Sequence, residues 1–189
     1  MKVVHVKNPE TREACLAKLC ANVYGQDAGL APLVTFAGTL GVLFEQEAAR
    51  LFALTDDERH VQCLALITSD VDGATMEVGL VSTIDGDTRH SRELIRTLAG
   101  KAPLRVMAND AEGEAFFRSC GIERWVEGEA DVRIGLGPLH PTPKAGRLPS
   151  AVRFNGEGIV RTFKQEPETF EAYKTRFIEA LARFPDAVV

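Results

Sequence analysis

A strand that passes through a short polar loop into a helix, at residues 76–99, constrains this chain more than any other stretch. Met76–Thr83 is rich in apolar and β-branched residues and follows Asp72-Gly73, a strong turn dipeptide. Alternation puts Glu77, Gly79, Val81 and Thr83 on one face of that strand, with Met76, Val78, Leu80 and Ser82 on the other. After the loop, Leu94, Ile95 and Leu98 form one apolar face of a helix over 91–98. A strand that hands over to a helix in this way belongs to a mixed α/β protein.

The flanking segments fit that class. Residues 2–6 read as a short strand, and Asn8-Pro9-Glu10-Thr11 as a helix start. Leu16, Leu19, Cys20 and Val23 give this helix its stripe, and Gly25 ends it. Pro32 opens a second helix running to about Ala48. Two strands, 51–54 and 61–68, flank Asp56-Asp57-Glu58-Arg59 and make an antiparallel meander with Met76–Thr83. Then come a strand at 104–107, a helix over Ala111–Ser119 with Gly121 as its C-cap, and strands at 123–126 and 131–136. The stretch 137–149 holds four prolines and reads as a linker or an extended crossing. Beyond it, 151–154 and 159–163 flank Asn155-Gly156-Glu157-Gly158 and read as a hairpin. A last helix over 167–183 carries Phe170, Tyr173, Phe177, Leu181 and Phe184 on one side.

Composition narrows the partners. With 45% apolar and 26% charged residues the chain has the make-up of an ordinary globular protein. Its formal net charge of −5 argues against nucleic acid or an anionic membrane as partner. Residues 28–44 carry no charge, but the run is short for a spanning helix and contains Pro32, Gly38 and Gly41. The N-terminus lacks the apolar stretch of a signal peptide, so a cytoplasmic location is expected. The four cysteines form no CxxC pair and have no metal-ligand spacing with a histidine, so buried free thiols and no metal are expected.

The order of strand, two helices, three-strand meander, helix, strand, helix and two strands resembles the GNAT superfamily of acyl-CoA-dependent N-acetyltransferases. Two parts carry the resemblance: Leu80-Val81-Ser82-Thr83 leading into the helix at Ser91, and Val106-Met107-Ala108-Asn109-Asp110 followed by Glu114-Ala115-Phe116-Phe117-Arg118-Ser119-Cys120-Gly121-Ile122. The implied fold is a mixed, mostly antiparallel central sheet flanked by helices over residues 1–136, with 137–189 adding a linker, a hairpin and a C-terminal helix. That helix covers the chain's own core or pairs with a second subunit as a homodimer.

The resemblance implies acetyl-CoA as co-substrate. Leu80, Val81 and Ser82 would pair with the pantetheine amides, and Thr88, Arg89, His90, Ser91 and Arg92 would meet the pyrophosphate at a helix N-terminus. Asn109 and Asp110 would meet the pantetheine or cap the next helix. The family's loop carries glycines where Gly86-Asp87-Thr88-Arg89-His90-Ser91 places Arg89 and Ser91, and Asp85 and Asp87 put negative charge beside an anion's site. Phe117 stands where many relatives have the tyrosine that protonates the departing thiolate. Tyr24 and Tyr173 lie in distant segments, leaving Cys120 as acid or as a packed thiol. Glu77 is the base for the acceptor ammonium or an outward solvated residue, His90 a base, a phosphate contact or an exposed loop residue, and His60 faces solvent. The expected function is transfer of an acetyl group to a small or protein amine. The alternative is a catalytically degenerate GNAT-like binding or regulatory module.

Overall fold

The computed structural model describes residues 1–143 and 147–188. Lys144, Ala145 and Gly146, inside the proline-rich stretch expected as a linker, lie outside the described residues, as does Val189. The elements run β1 (Lys2–His5), α1 (Pro9–Tyr24), α2 (Ala31–Gly38), a π-helical turn (Thr39–Phe44), β2 (Ala49–Thr55), β3 (Val61–Ser69), β4 (Met76–Thr83), α3 (Thr88–Ala99), β5 (Leu104–Ala108), α4 (Ala111–Ser119), β6 (Arg124–Glu127), β7 (Arg133–Leu136), α5 (Gly156–Gln165) and α6 (Pro167–Ala182). The seven strands form one sheet in the order β1-β2-β3-β4-β5-β7-β6, antiparallel except where β4 meets β5. This is the mixed, mostly antiparallel sheet flanked by helices that the resemblance implies. No helix among the described residues is long and apolar enough to cross a membrane.

Each face of the sheet has its own core. One buries Leu51, Ala53, Leu64 and Leu66 under α1, α2, α5 and α6, and the other buries Cys63, Ala65, Ile67 and Val106 under α3 and α4. Helix α1 starts where the Asn8 side chain accepts from the Thr11 N–H (3.0 Å), and ends at Gly25, whose φ of 72° suits glycine. Cys15 and Cys20 point to different sides of α1, yet both are fully buried, because the helix is sandwiched between the sheet and α6.

The tail departs from the expected hairpin. The Asn155 side chain accepts from the Gly158 N–H (2.9 Å), so Asn155-Gly156-Glu157-Gly158 starts α5 instead of turning a hairpin. Ile159, Val160 and Phe163 then pack on the first core at helical spacing. Before α5 the chain is tied to the end of β3, with Val152 N–H donating to the Ser69 carbonyl (2.9 Å). On α6, the stripe from Phe170 to Leu181, with Phe184 just beyond it, packs on the same core. Phe177 meets Phe36 edge-on, and Arg176 donates to both oxygens of Glu13 at 2.7 Å. The second helix is also shorter than expected, because α2 gives way at Thr39 to the π-helical turn.

Candidate active site

Strands β4 and β5 are paired at only two positions, Met76 with Leu104 and Glu77 with Arg105. Above these, β5 turns its ladder to β7 and β4 keeps only β3, so the parallel pair splays open from Val78 onward. The β5-side N–H and C=O groups of β4 are thereby offered to a ligand edge.

A bulge lies within the splayed part. Leu66 opposes Leu80 but Ile67 opposes Val78, leaving Gly79 as an extra residue on β4. The bulge resets the parity of the strand. Glu77 opposes Thr68, and Leu80 and Ser82 oppose Leu66 and Leu64, so Glu77 shares a face with Leu80 and Ser82 and not with Val81 and Thr83 as strict alternation predicts. Leu80, Val81 and Ser82 are half-buried along the split.

The loop after β4 binds itself. Asp87 caps α3, accepting from Arg89 N–H at 2.9 Å and, through both oxygens, from the Arg89 guanidinium at 2.6–3.1 Å. Asp85 accepts from Asp87 N–H (2.9 Å) and meets His90 Nδ1 at 3.3 Å. These bonds hold the Asp87 carboxyl down at about 2, the Arg89 side chain contributing most. Asp85, Asp87 and His90 bring their ligand atoms within 4.8 Å of one another. Arg92 turns away, donating to Ser119 Oγ on α4 (2.9 Å), and the Ser91 hydroxyl donates to the Thr88 carbonyl (3.0 Å). Thr88 opens the helix and is exposed. The residues expected to greet a phosphate are adjacent, but Arg89 is paired with Asp87 and Arg92 is drawn to α4.

Glu77 is neither a free base nor a solvated residue. It is 2% exposed, and its Oε2 accepts from Arg105 Nε at 3.1 Å, Arg105 itself being 4% exposed. Arg153 Nη2 lies 2.7 Å from the other oxygen, off the line that a hydrogen bond needs, so charge couples them. Arg105 also donates to the Pro149 carbonyl (2.5 Å). The Glu77–Arg105 pair sits at the last rung before the strands part.

Cys120 is likewise buried and bonded within the fold. It is 1% exposed, its thiol donates to the Phe116 carbonyl at 3.3 Å, and burial pushes it up to about 11. Burial pushes Cys15, Cys20 and Cys63 up to about 12. All four thiols are free and buried, as composition predicts. Asp110 caps α4, accepting from Gly113 N–H (2.7 Å), while Asn109 is exposed at the mouth of the split. Phe117 packs edge-on with Phe116 against the second core.

A cavity of about 190 Å³ opens beside the bulge, on the face opposite α3. Its walls come from α1 and α2 (Tyr24, Thr35), the π-helical turn (Thr39, Leu43), the sheet (Leu66, Thr68, Gly79, Leu80) and the tail (Val152, Arg153, Phe154). Thr35 donates to the Tyr24 hydroxyl oxygen at 3.0 Å, which leaves the phenol's own proton for another partner. Thr39 is fully buried, and its hydroxyl has no hydrogen-bond partner. Tyr24, distant in sequence from β4, is thus brought to it in space. Nothing local in the sequence marks Thr39 or Arg153, since the contacts that matter join elements more than a hundred residues apart.

No family model and no curated protein sequence matches the chain. Solved structures do. Spermidine N-acetyltransferase from Vibrio cholerae, in complex with CoA and spermine, superposes with a TM-score of 0.46 at 11% identity, covering 74% of this chain and 96% of that one. A protein assigned to the GNAT acetyltransferases from Desulfovibrio desulfuricans superposes at 0.47 with 12% identity, covering 71% of this chain and 96% of that one. At these values the likeness carries no argument about this chain; the sheet order and the splayed pair stand on its own geometry.

Proposed function

We propose that the protein is an acyl-CoA-dependent N-acyltransferase, with acetyl-CoA as donor and direct attack by an amine. The observation that carries this reading is the splayed β4–β5 pair with its bulge at Gly79 and the N-terminus of α3 at its end. The pantetheine arm would add to the open edge of β4 beside Leu80, Val81 and Ser82, with Asn109 across the split. The acyl carbonyl would then lie near the backbone of Gly79, against the mouth of the cavity.

The reaction places no demand on Glu77 or Cys120. The neutral amine's lone pair attacks the thioester carbon, the C–N bond forms and the C–S bond breaks. The nitrogen passes its proton to solvent and the thiolate takes one from a donor, leaving an amide and a thiol. Tyr24 is the candidate donor to that thiolate, in the role that Phe117 cannot fill. Pyrophosphate binding requires the Asp87 carboxylate to release both the Arg89 guanidinium and the Arg89 N–H that it caps, after which these become available. Such a soluble acyl transfer fits a cytoplasmic protein.

Calorimetric titration of the full chain with acetyl-CoA tests the proposal. Micromolar binding is expected, and no detectable heat at millimolar ligand overturns it. A second reading, a degenerate GNAT-like binding or regulatory module, draws on one observation: the N-terminus of α3 is already capped by the chain's own Asp87. Acetyl-CoA binding without CoA release in the presence of any amine would favour it.

A further inference from the structure

The cavity beside Gly79 has a chemistry of its own. Among the described residues Arg153 is the one charged residue in its wall, and no carboxylate lines it. Behind it, one carboxylate, Glu77, faces two guanidiniums, Arg105 and Arg153, so one positive charge is left over. The Arg153 side chain is 58% exposed and gives only one nitrogen to Glu77, which frees the rest of its fork. A ligand that is itself a polycation would meet like charge here and find no acid to receive it.

The remaining polar groups are hydroxyls. Tyr24, Thr35, Thr39 and Thr68 line the space together with the leucines Leu43, Leu66 and Leu80. Thr39 carries the sharper message. A buried hydroxyl without a partner costs stability, and this one is fully buried in the wall of an open cavity. It is poised to meet a polar atom of an occupant. The volume of about 190 Å³ is smaller than the roughly 300–1,000 Å³ of pockets for drug-sized ligands, which excludes a bulky acceptor seated whole.

We infer that this cavity is the acceptor site and that its substrate is a small amine bearing a carboxylate, of the size of a free amino acid. One carboxylate oxygen sits on Arg153 and the other accepts from the unpartnered Thr39 hydroxyl, while the amine is turned to the bulge at Gly79. There it attacks the acyl carbon as written above. The inference rests on the acyltransferase reading.

The test follows CoA release from acetyl-CoA by the full chain. The amines are L-alanine, L-valine and L-phenylalanine, the carboxamide of each, and spermine. The free acids are expected to exceed their amides by roughly 10- to 100-fold in kcat/KM, the loss expected when a charge-assisted bond is removed. Arg153→Gln should bring that ratio close to one and Arg153→Lys should restore part of it. Thr39→Val, nearly isosteric and relieved of a buried hydroxyl, should fold normally and raise KM for the acids. Equal or better use of the amides or of spermine overturns the inference while leaving the acyltransferase reading intact. If acetyl-CoA itself fails to bind, that reading falls, and direct calorimetric titration with the acids and amides decides the cavity alone: no preference for the acids refutes it.

Discussion

Replacing Glu77 with glutamine separates two roles that the sequence leaves open. The carboxylate is 2% exposed and bonded to Arg105, which is 4% exposed. Glutamine keeps the volume and one acceptor but removes the charge. Arg153, with a 58% exposed side chain, can swing into water, whereas Arg105 cannot. Its other partner, the Pro149 carbonyl, accepts a hydrogen bond without neutralising it. Breaking a buried ion pair from one side costs about 3–5 kcal/mol. For a chain of this length that lowers the melting temperature by roughly 6–20 °C. Differential scanning calorimetry at neutral pH reads the shift. Adding Arg105→Met to Glu77→Gln should recover much of the loss, because the stranded charge is then gone. A Glu77→Gln variant that melts within about 2 °C of the parent, yet turns over about a hundredfold more slowly, would refute the structural assignment and make Glu77 the base.

Three further outcomes follow from the geometry. Tyr24→Phe should lower turnover by about 10²-fold or more with little change in acetyl-CoA affinity, as measured by steady-state kinetics beside calorimetry. No thiol should react quickly with Ellman's reagent in the native state: at pH 8 a group at about 11, like Cys120, is ionised to roughly one part in a thousand, against about a quarter for an ordinary thiol. All four should react in denaturant, and fast labelling of any one in the native protein contradicts its burial. His140 is lowered from 6.5 by burial and, on balance, by its charged neighbours, with Arg105 and Arg124 opposing its charge and Asp70 favouring it. The folded state therefore prefers it neutral, so its contribution is present above 6.5 and is lost as pH falls below it. Denaturant melts at pH 7.5 and 5.5 should show His140→Gln losing less stability on acidification than the parent, which retains the second lowered histidine, His5, in common with the variant.

The order of elements over the first 136 residues was legible because each announces itself locally: Asn8 and Asp110 as caps, Gly25 and Gly121 at positive φ, and Asp72-Gly73 as a turn. The anion loop was legible as a place but not as a state, since side chains two residues apart decide whether a helix end is free or filled. The face on which Glu77 lies was not legible at all. One extra residue at Gly79 reverses the parity of β4, and glycine in a strand announces a bulge no more loudly than it announces a close approach. The tail misled for a related reason: Asn155-Gly156 serves a hairpin or a helix start equally well, and tertiary packing of Ile159 and Phe163 chooses. The cavity was out of reach because its walls are assembled from residues 24–43, 66–80 and 152–154.

On the proposed reading, that assembly divides the reaction along the chain: the donor half would lie in one stretch, from Met76 to Cys120, while the cavity borrows a wall from Val152, Arg153 and Phe154, in the segment beyond β7. Phe154 even presses on Gly38, where any added Cβ would lie 2.3 Å from its ring, so the tail and α2 are fitted to one another. On the same proposed reading, acceptor choice is written as an appendix to the fold, and an exchange of a few residues between the proline-rich crossing and α5 is expected to change the acceptor while β4 and β5 stay as they are.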